Sequence, residues 1–244
     1  MMTFMKEGCP FRRSVSFLAA IATCSGTMWG CAQRTTPQQP FKLPERSLAT
    51  EPEIKVRLFD LDEFTCDVGA PSKIIRFGGK PYAGELTVSY TTEGLMPTWV
   101  LQRGKKVLAK QRSAILRLTS AEPITVQKTL FPTNSLAMRI EGERMEVVGR
   151  FALETYLPGV LQRELFAKWD IDTYKAQAVA ARSYSLVKMQ DRRGKFWHVR
   201  ASPSDQAFVG GALRPVARDA VAATKGQVLT WDNQILCTYY SSCC

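Results

Sequence analysis

Glu164 is the side chain whose neighbours best suit it to proton transfer. Val160 and Leu161 precede it, and Leu165 and Phe166 follow at once. Apolar surroundings disfavour a charged carboxylate and raise its pKa, which keeps a proton available for donation near neutral pH. On residues alone the signal is weak, because a glutamate on an amphipathic helix is most often a solvated surface residue. Other chemistries have less to stand on. His198 is the single histidine among 244 residues, which speaks against any mechanism that needs two imidazoles. Residues 51–150 hold no dense cluster of His, Cys or carboxylates and no glycine-rich phosphate loop.

The elements that must carry Glu164 follow from periodicity. From about Glu51 apolar residues alternate, as in Ile54, Val56 and Leu58, and Ile74–Phe77 runs into Gly78-Gly79. Hairpins are expected around Arg103-Gly104-Lys105 and around Glu141-Gly142-Glu143. From about 151 the period becomes helical. Pro158-Gly159 predicts the start of a helix through Leu165. Asp172 or Thr173 predicts the cap of a longer helix through about Asp191. On it Ala176, Val179, Ala180, Ser183 and Val187 form a stripe of small residues, while Gln177, Ala181, Tyr184 and Lys188 share a neighbouring face. A third helix is expected between Arg214-Pro215 and Lys225-Gly226, then two strands around Asp232-Asn233. The expected class is α+β, a β-rich body with a helical segment bearing Glu164.

The chain has 33 basic against 22 acidic side chains, a formal charge of +11, with 45% hydrophobic and 23% charged residues. That composition excludes collagen, low-complexity disorder and a polytopic membrane protein. The positive surplus calls for an anionic partner without choosing among nucleic acid, membrane surface and wall polymer. Lys6, Arg12 and Arg13 followed by an apolar run from Val15 to Trp29 read as an export signal over 1–31. Gly30-Cys31 fits lipoprotein processing, with Cys31 lipidated, and Gly30-x-Ala32 fits ordinary signal-peptidase cleavage. The Pro-rich polar residues 32–50 read as a tether. The expected location is therefore the cell envelope, with membrane contact only through signal or lipid. Export also permits a disulfide, for example Cys66 with a C-terminal cysteine, though spacing cannot fix the pairing. Export and the lack of interleaved aromatic and basic residues argue against nucleic acid.

Two stretches carry a family resemblance. Glu154-Thr-Tyr156-Leu157-Pro-Gly159-Val160-Leu-Gln-Arg-Glu164 is followed by Trp169, and then by the run KAQAVAARSYS from Lys175 to Ser185. This text resembles the SpoIID/LytB family, whose pattern reads ExYLxGVVxxEM, then W, then ALKAQAVAARTYA. The likeness continues through Gln206-Ala-Phe208-Val-Gly210-Gly211, through Thr224-Lys-Gly226-Gln-Val228, and into Tyr239-Tyr240-Ser241-Ser242-Cys243. It covers roughly 140–244, leaving 51–139 as a β-rich part of its own, a scaffold or a polymer-binding surface, with the scaffold favoured. The family continues past SSCGG, so the resemblance implies a domain shortened at its C-terminus.

The resemblance implies a peptidoglycan-directed protein, a lytic transglycosylase acting on glycan strands without stem peptides, with Glu164 as the catalytic residue. One carboxyl suffices, because it protonates the glycosidic oxygen and then takes the proton of the muramyl 6-hydroxyl, which closes an anhydro ring. A hydrolase would normally need a second carboxylate. The resemblance further implies substrate contacts at Gln177, Arg182, Tyr184, Gln206, Ser241 and Ser242, with helix packing and a structural salt bridge as the competing reading of Arg182. It also implies a second class of function, a noncatalytic enhancer of an N-acetylmuramoyl-L-alanine amidase, in which the partner is that amidase or another wall hydrolase. The retained Glu164 favours the enzyme. Some relatives resemble zinc proteins, but here Asp205 and Tyr240 stand at the ligand positions. His198 and Cys243 alone fall short of the about four ligands of a tetrahedral site, so neither a metal nor another cofactor is expected.

Overall fold

The computed structural model describes residues 51–70, 74–93 and 96–239. The expected export signal, the tether, and the Ser241-Ser242 pair with Tyr240, Cys243 and Cys244 lie outside the described residues. Twelve strands come first: β1 (Glu53–Leu61), β2 (Thr65–Gly69), β3 (Ile74–Phe77), β4 (Lys80–Ala83), β5 (Leu86–Glu93), β6 (Met96–Arg103), β7 (Lys106–Arg112), β8 (Ile115–Thr119), β9 (Ile124–Val126), β10 (Thr129–Phe131), β11 (Ser135–Glu141) and β12 (Arg144–Ala152). Helices α1 (Leu153–Glu164) and α2 (Ile171–Asp191) follow, then β13 (Val199–Arg200), α3 (Pro215–Ala223), β14 (Thr230–Trp231) and β15 (Gln234–Ile235). The described residues are mixed and strand-rich with three helices, in keeping with the α+β expectation at that level.

Seven strands form one sheet in the order β13-β1-β12-β11-β8-β3-β4, and six form another in the order β10-β9-β2-β5-β6-β7. All pairings are antiparallel except β1 with β13. The alternation legible in β1 is real: Ile54 and Val56 are fully buried, with Lys55 and Arg57 between them only partly so. Both expected hairpins form, and Gly104 and Gly142 adopt the left-handed conformation their turns require. Asp232 and Asn233 are left-handed too, as a two-residue loop of this twist demands. One apolar cluster takes side chains from both large sheets and all three helices, including Val56, Val88, Leu116, Tyr156, Ala178 and Ala220. Because β13 pairs with β1, residues 199–200 and 53–61 share one sheet.

Three expectations change. Helix α1 begins five residues before Pro158, at Leu153, so Pro158 lies inside it. Leu153, Tyr156 and Leu157 are buried, and their burial outweighs the amide hydrogen bond that proline cannot make. Helix α2 is capped two residues before the nearer of the expected positions, by Asp170, whose Oδ1 accepts from the Asp172 amide at 2.8 Å. Its buried residues are Tyr174, Ala178, Ala181, Arg182, Ser183, Tyr184 and Ser185, so of the expected stripe Ser183 is buried while Ala176 is exposed. The third change concerns Cys66. It is a free thiol in the core, as is the half-buried Cys237, and burial pushes the Cys66 thiol up to about 12. A thiol held neutral in apolar surroundings is inert.

Candidate functional site

Helix α1 delivers Glu164 as its last residue. The end of that helix is clamped by Arg214, the residue before α3, whose Nη1 donates to the Leu165 carbonyl at 3.1 Å and to the Tyr174 hydroxyl at 3.3 Å. Gln162 adds two bonds to the same loop, donating to the Ala212 carbonyl and accepting from the Arg214 amide. A cation at a helix C-terminus is electrostatically favourable, so this clamp fixes where Glu164 sits. Beyond it Phe166, 68% exposed, and Trp169, 40% exposed, meet edge to face at 5.3 Å.

Against α1 runs the segment 205–209, and three consecutive residues of it reach three positions named from the sequence. Asp205 Oδ1 accepts from the Tyr184 hydroxyl at 3.3 Å. Gln206 is fully buried: its Oε1 accepts from Ser185 at 2.9 Å and from Tyr156 at 3.3 Å, and its Nε2 donates to the Ala181 carbonyl at 3.2 Å. The Ala207 amide donates to Glu164 Oε1 at 2.9 Å. Glu164 is half-buried, and its Oε2 has no hydrogen-bond or ion-pair partner among the described residues. The other acidic residue of α1, Glu154, is by contrast neutralised: Arg182 grips it through Nε and Nη2, both at 2.8 Å.

Arg182 and Gln206 are therefore turned inward. Arg182, 1% exposed, also donates to the carbonyls of Gln227, Ala178 and Val221, so its fork ties α1, α2 and α3 together. Tyr184 is buried except at its edge, beside Tyr239 at 6.0 Å, with Lys188 Nζ 5.2 Å above its ring. Burial, then Asp205, pushes its phenol pKa well up. Gln177 is half-buried on α2 and makes no side-chain hydrogen bond among the described residues. The structure thus brings Glu164 and Tyr184 against the segment that carries Gln206, and places Arg182 in the helical core. Two surface hollows, one around Phe64 and Tyr90 and one around Asp62 and Arg144, hold none of these residues. No cluster of three metal-ligating side chains occurs among the described residues.

Sequence reading missed Glu154 as the partner of Arg182 and missed the reason for Gly159. A Cβ at Gly159 would stand 2.4 Å from the Phe208 ring and 2.5 Å from the Val209 carbonyl oxygen. Only glycine lets segment 205–209 lie this close to α1. Gly159→Ala is expected to cost about 1–3 kcal/mol of stability as an overpacking change. It should also break the Ala207–Glu164 hydrogen bond, read as faster exchange of the Ala207 amide. Native stability with unchanged exchange would contradict this.

His198 is packed rather than ligating. Its Nδ1 accepts from the Lys55 amide at 3.1 Å, and its own amide donates to the Lys55 carbonyl at 2.8 Å. Burial first, then Lys55, Arg150 and Arg192, lowers its pKa to about 4. The unfolded imidazole, near 6.5, takes a proton that the folded one refuses. This stability is present in full above pH 6.5 and is lost as pH falls from there toward 4. His198→Asn keeps an acceptor and removes the titration. The variant is expected to show a flatter decline of the urea midpoint than the parent between pH 6.5 and 4.5, and an equal decline would refute the assignment.

Residues 141–231 match the family model for SpoIID, Stage II sporulation protein, and this segment belongs to the SpoIID/LytB family. It starts at the end of β11 and takes in α1, α2 and α3, including Glu164 and segment 205–209. Among curated proteins, an uncharacterized protein of Brachyspira hyodysenteriae (strain ATCC 49526 / WA1) is 29% identical over 104 residues, 42% of this chain and 28% of that protein. The amidase enhancer of Bacillus subtilis (strain 168) is 35% identical over 86 residues, 35% of this chain and 11% of its own length. The chain thus aligns with less than a third of either relative. No helix among the described residues is long and apolar enough to cross a membrane.

Proposed function

We propose that this protein acts on cell-wall peptidoglycan as a lytic transglycosylase, with Glu164 as the acid and then the base. The observation that carries the reading is the contrast between the two carboxylates of α1. Glu154 is locked by Arg182, whereas Glu164 is held at one oxygen by a backbone amide and keeps the other for a substrate. Protonated, Glu164 donates to the glycosidic oxygen between muramic acid and glucosamine, and that C–O bond breaks. The muramyl 6-hydroxyl oxygen bonds to the anomeric carbon, and its proton returns to Glu164, leaving the enzyme unchanged and an anhydro-muramyl end. Phe166 and Trp169 offer an apolar platform beside Glu164 on which a sugar ring can lie. In this reading Gln177 and Tyr184 contact substrate with Ser241 and Ser242, and Arg182 and Gln206 hold the frame. The protein works at the cell envelope, and no cofactor takes part.

A second reading rests on the Bacillus subtilis relative, named an amidase enhancer. There the chain binds wall polymer and raises the activity of a separate amidase. Incubating the purified protein alone with peptide-free glycan strands tests the first reading: anhydro-muramyl products support it. Absence of products, with stimulation of an added amidase, supports the second.

A further inference from the structure

Outside the Glu164 segment, the surface beside β13 gathers charge that the fold alone does not call for. Arg57 on β1 and Arg200 on β13 stand directly opposite each other in the parallel ladder. Like charges at facing positions destabilise a sheet. Around them the Trp197 ring carries three guanidiniums, those of Arg192 at 4.6 Å, Arg57 at 4.9 Å and Arg200 at 5.5 Å from its centroid. A fourth, Arg139, lies 4.5 Å over Phe196. Two buried carboxylates hold the group. Glu146 takes Arg57 at 2.7 Å, Arg139 at 2.8 Å and the Trp197 Nε1 proton at 3.0 Å. Asp205 takes Arg192 at 3.2 Å and Arg200 at 3.3 Å.

Four cations thus share two buried anions, and Asp60 and Glu141 at the rim offset the rest only in solvent. Two neighbours sit in the same positive surroundings. Burial first, then Lys55, Arg150 and the cluster's Arg192, lowers the His198 pKa, and burial, then Arg150, lowers that of Lys55. The outer nitrogens also remain available. Arg200 uses only Nε, and neither its Nη1 and Nη2 nor the Nη2 groups of Arg57 and Arg192 have a hydrogen-bond partner among the described residues. Planar forks stacked on an indole are pre-aligned for a carboxylate or phosphate.

The position of the cluster decides which anion. Asp205, which anchors Arg192 and Arg200, is two residues from Ala207, whose amide holds Glu164. Two residues of chain span at most about 7 Å. A strand that runs from Glu164 along segment 205–207 comes to the arginines. We propose that the Arg57–Arg192–Arg200 cluster on Trp197 is a specificity site that reads free carboxylates on the glycan strand bound at Glu164. In a strand without stem peptides the muramyl lactyl group ends in a carboxylate, and in a strand with peptides it is a neutral amide. The inference rests on the glycan-strand reading above, although it concerns binding and not bond cleavage.

The test measures binding of the full chain to peptide-free glycan strands and to the same strands with their carboxyls converted to methylamides. The unmodified protein is expected to prefer the free carboxylates by about fivefold or more at low salt, with the preference fading as salt rises. Arg200→Gln should bring the ratio near one, and Arg200→Lys should keep part of it, because the charge remains and the fork is lost. Asp205 retains Arg192 and the Arg200 amide, so Arg200→Gln leaves no buried charge alone. Equal binding of both strands by the parent protein overturns the proposal whatever the variants do. An unchanged ratio in Arg200→Gln overturns it too, as does tighter Arg200-dependent binding of a DNA oligomer, which would make this a phosphodiester site. Running the binding assay in the Glu164→Gln background separates the two readings: cleavage by that variant at the parent rate would remove the catalytic role of Glu164, while the carboxylate preference is read from binding alone.

Discussion

Glu164→Gln is expected to lower release of anhydro-muramyl ends from peptide-free glycan by about two to four orders of magnitude, the range that a positioned acid–base group contributes. The substitution is close to isosteric. Its amide oxygen can still accept from the Ala207 N–H that now bonds Oε1, so the unfolding free energy should move by less than about 1 kcal/mol. What the amide cannot do is give up a proton and take one back, and both halves of the reaction need that. Activity should therefore fall with stability preserved, a separation that a packing role for Glu164 would not produce. Product release at the parent rate by a folded Glu164→Gln protein would remove Glu164 from the chemistry. If parent and variant both fail to cut, yet both stimulate an amidase equally, the enhancer reading takes over.

How far such a site could be read from sequence depended on how local its causes were. The hairpins at Gly104 and Gly142 and the Asp232-Asn233 loop were legible, because a turn is decided by two or three adjacent residues. The alternation of β1 was legible for the same reason. The inner face of α2 was not. Its centre is Arg182, and a polar residue counts against burial in any hydrophobic pattern until Glu154, 28 positions away, is brought to it. Ser183 and Ser185 are buried as well, their hydroxyls spent on the carbonyls of Val179 and Ala181 one turn back. The start of α1 was obscured by Pro158, whose local preference yields to the core. Glu164 was picked out by the family text around it and not by its own surroundings. Its tether, the Ala207 amide, is a backbone group 43 residues on that no side-chain pattern announces. The arginines on Trp197 come from two stretches: Arg192 and Arg200 flank the ring within residues 192–200, where basic and aromatic residues do stand together, whereas Arg57 arrives only through the pairing of β1 with β13.

Arg182→Ala is expected to cost about 3–5 kcal/mol, the penalty for breaking a buried ion pair from one side. The guanidinium is almost fully enclosed and grips Glu154 by two nitrogens, while Glu154 is itself only about one-fifth exposed. Alanine would leave that carboxylate without its partner and also strip the carbonyls of Gln227 and Val221 of their donor. In a chain of this size the thermal midpoint should drop by roughly 10 °C or more. Because Glu154 and Glu164 share one helix, loosening the pair should shift the helix end as well, and glycan binding should fall together with folding. Replacing both partners, as in Glu154→Gln with Arg182→Met, should recover most of the stability, since two neutral groups of similar size avoid the orphaned charge. A substrate-binding role predicts the reverse pattern. Under that role Arg182→Ala would melt at the parent temperature and lose only affinity, and the double replacement would bind no better than the single one. The thermal midpoint and the glycan affinity of these two variants, measured side by side, decide between a strut and a ligand.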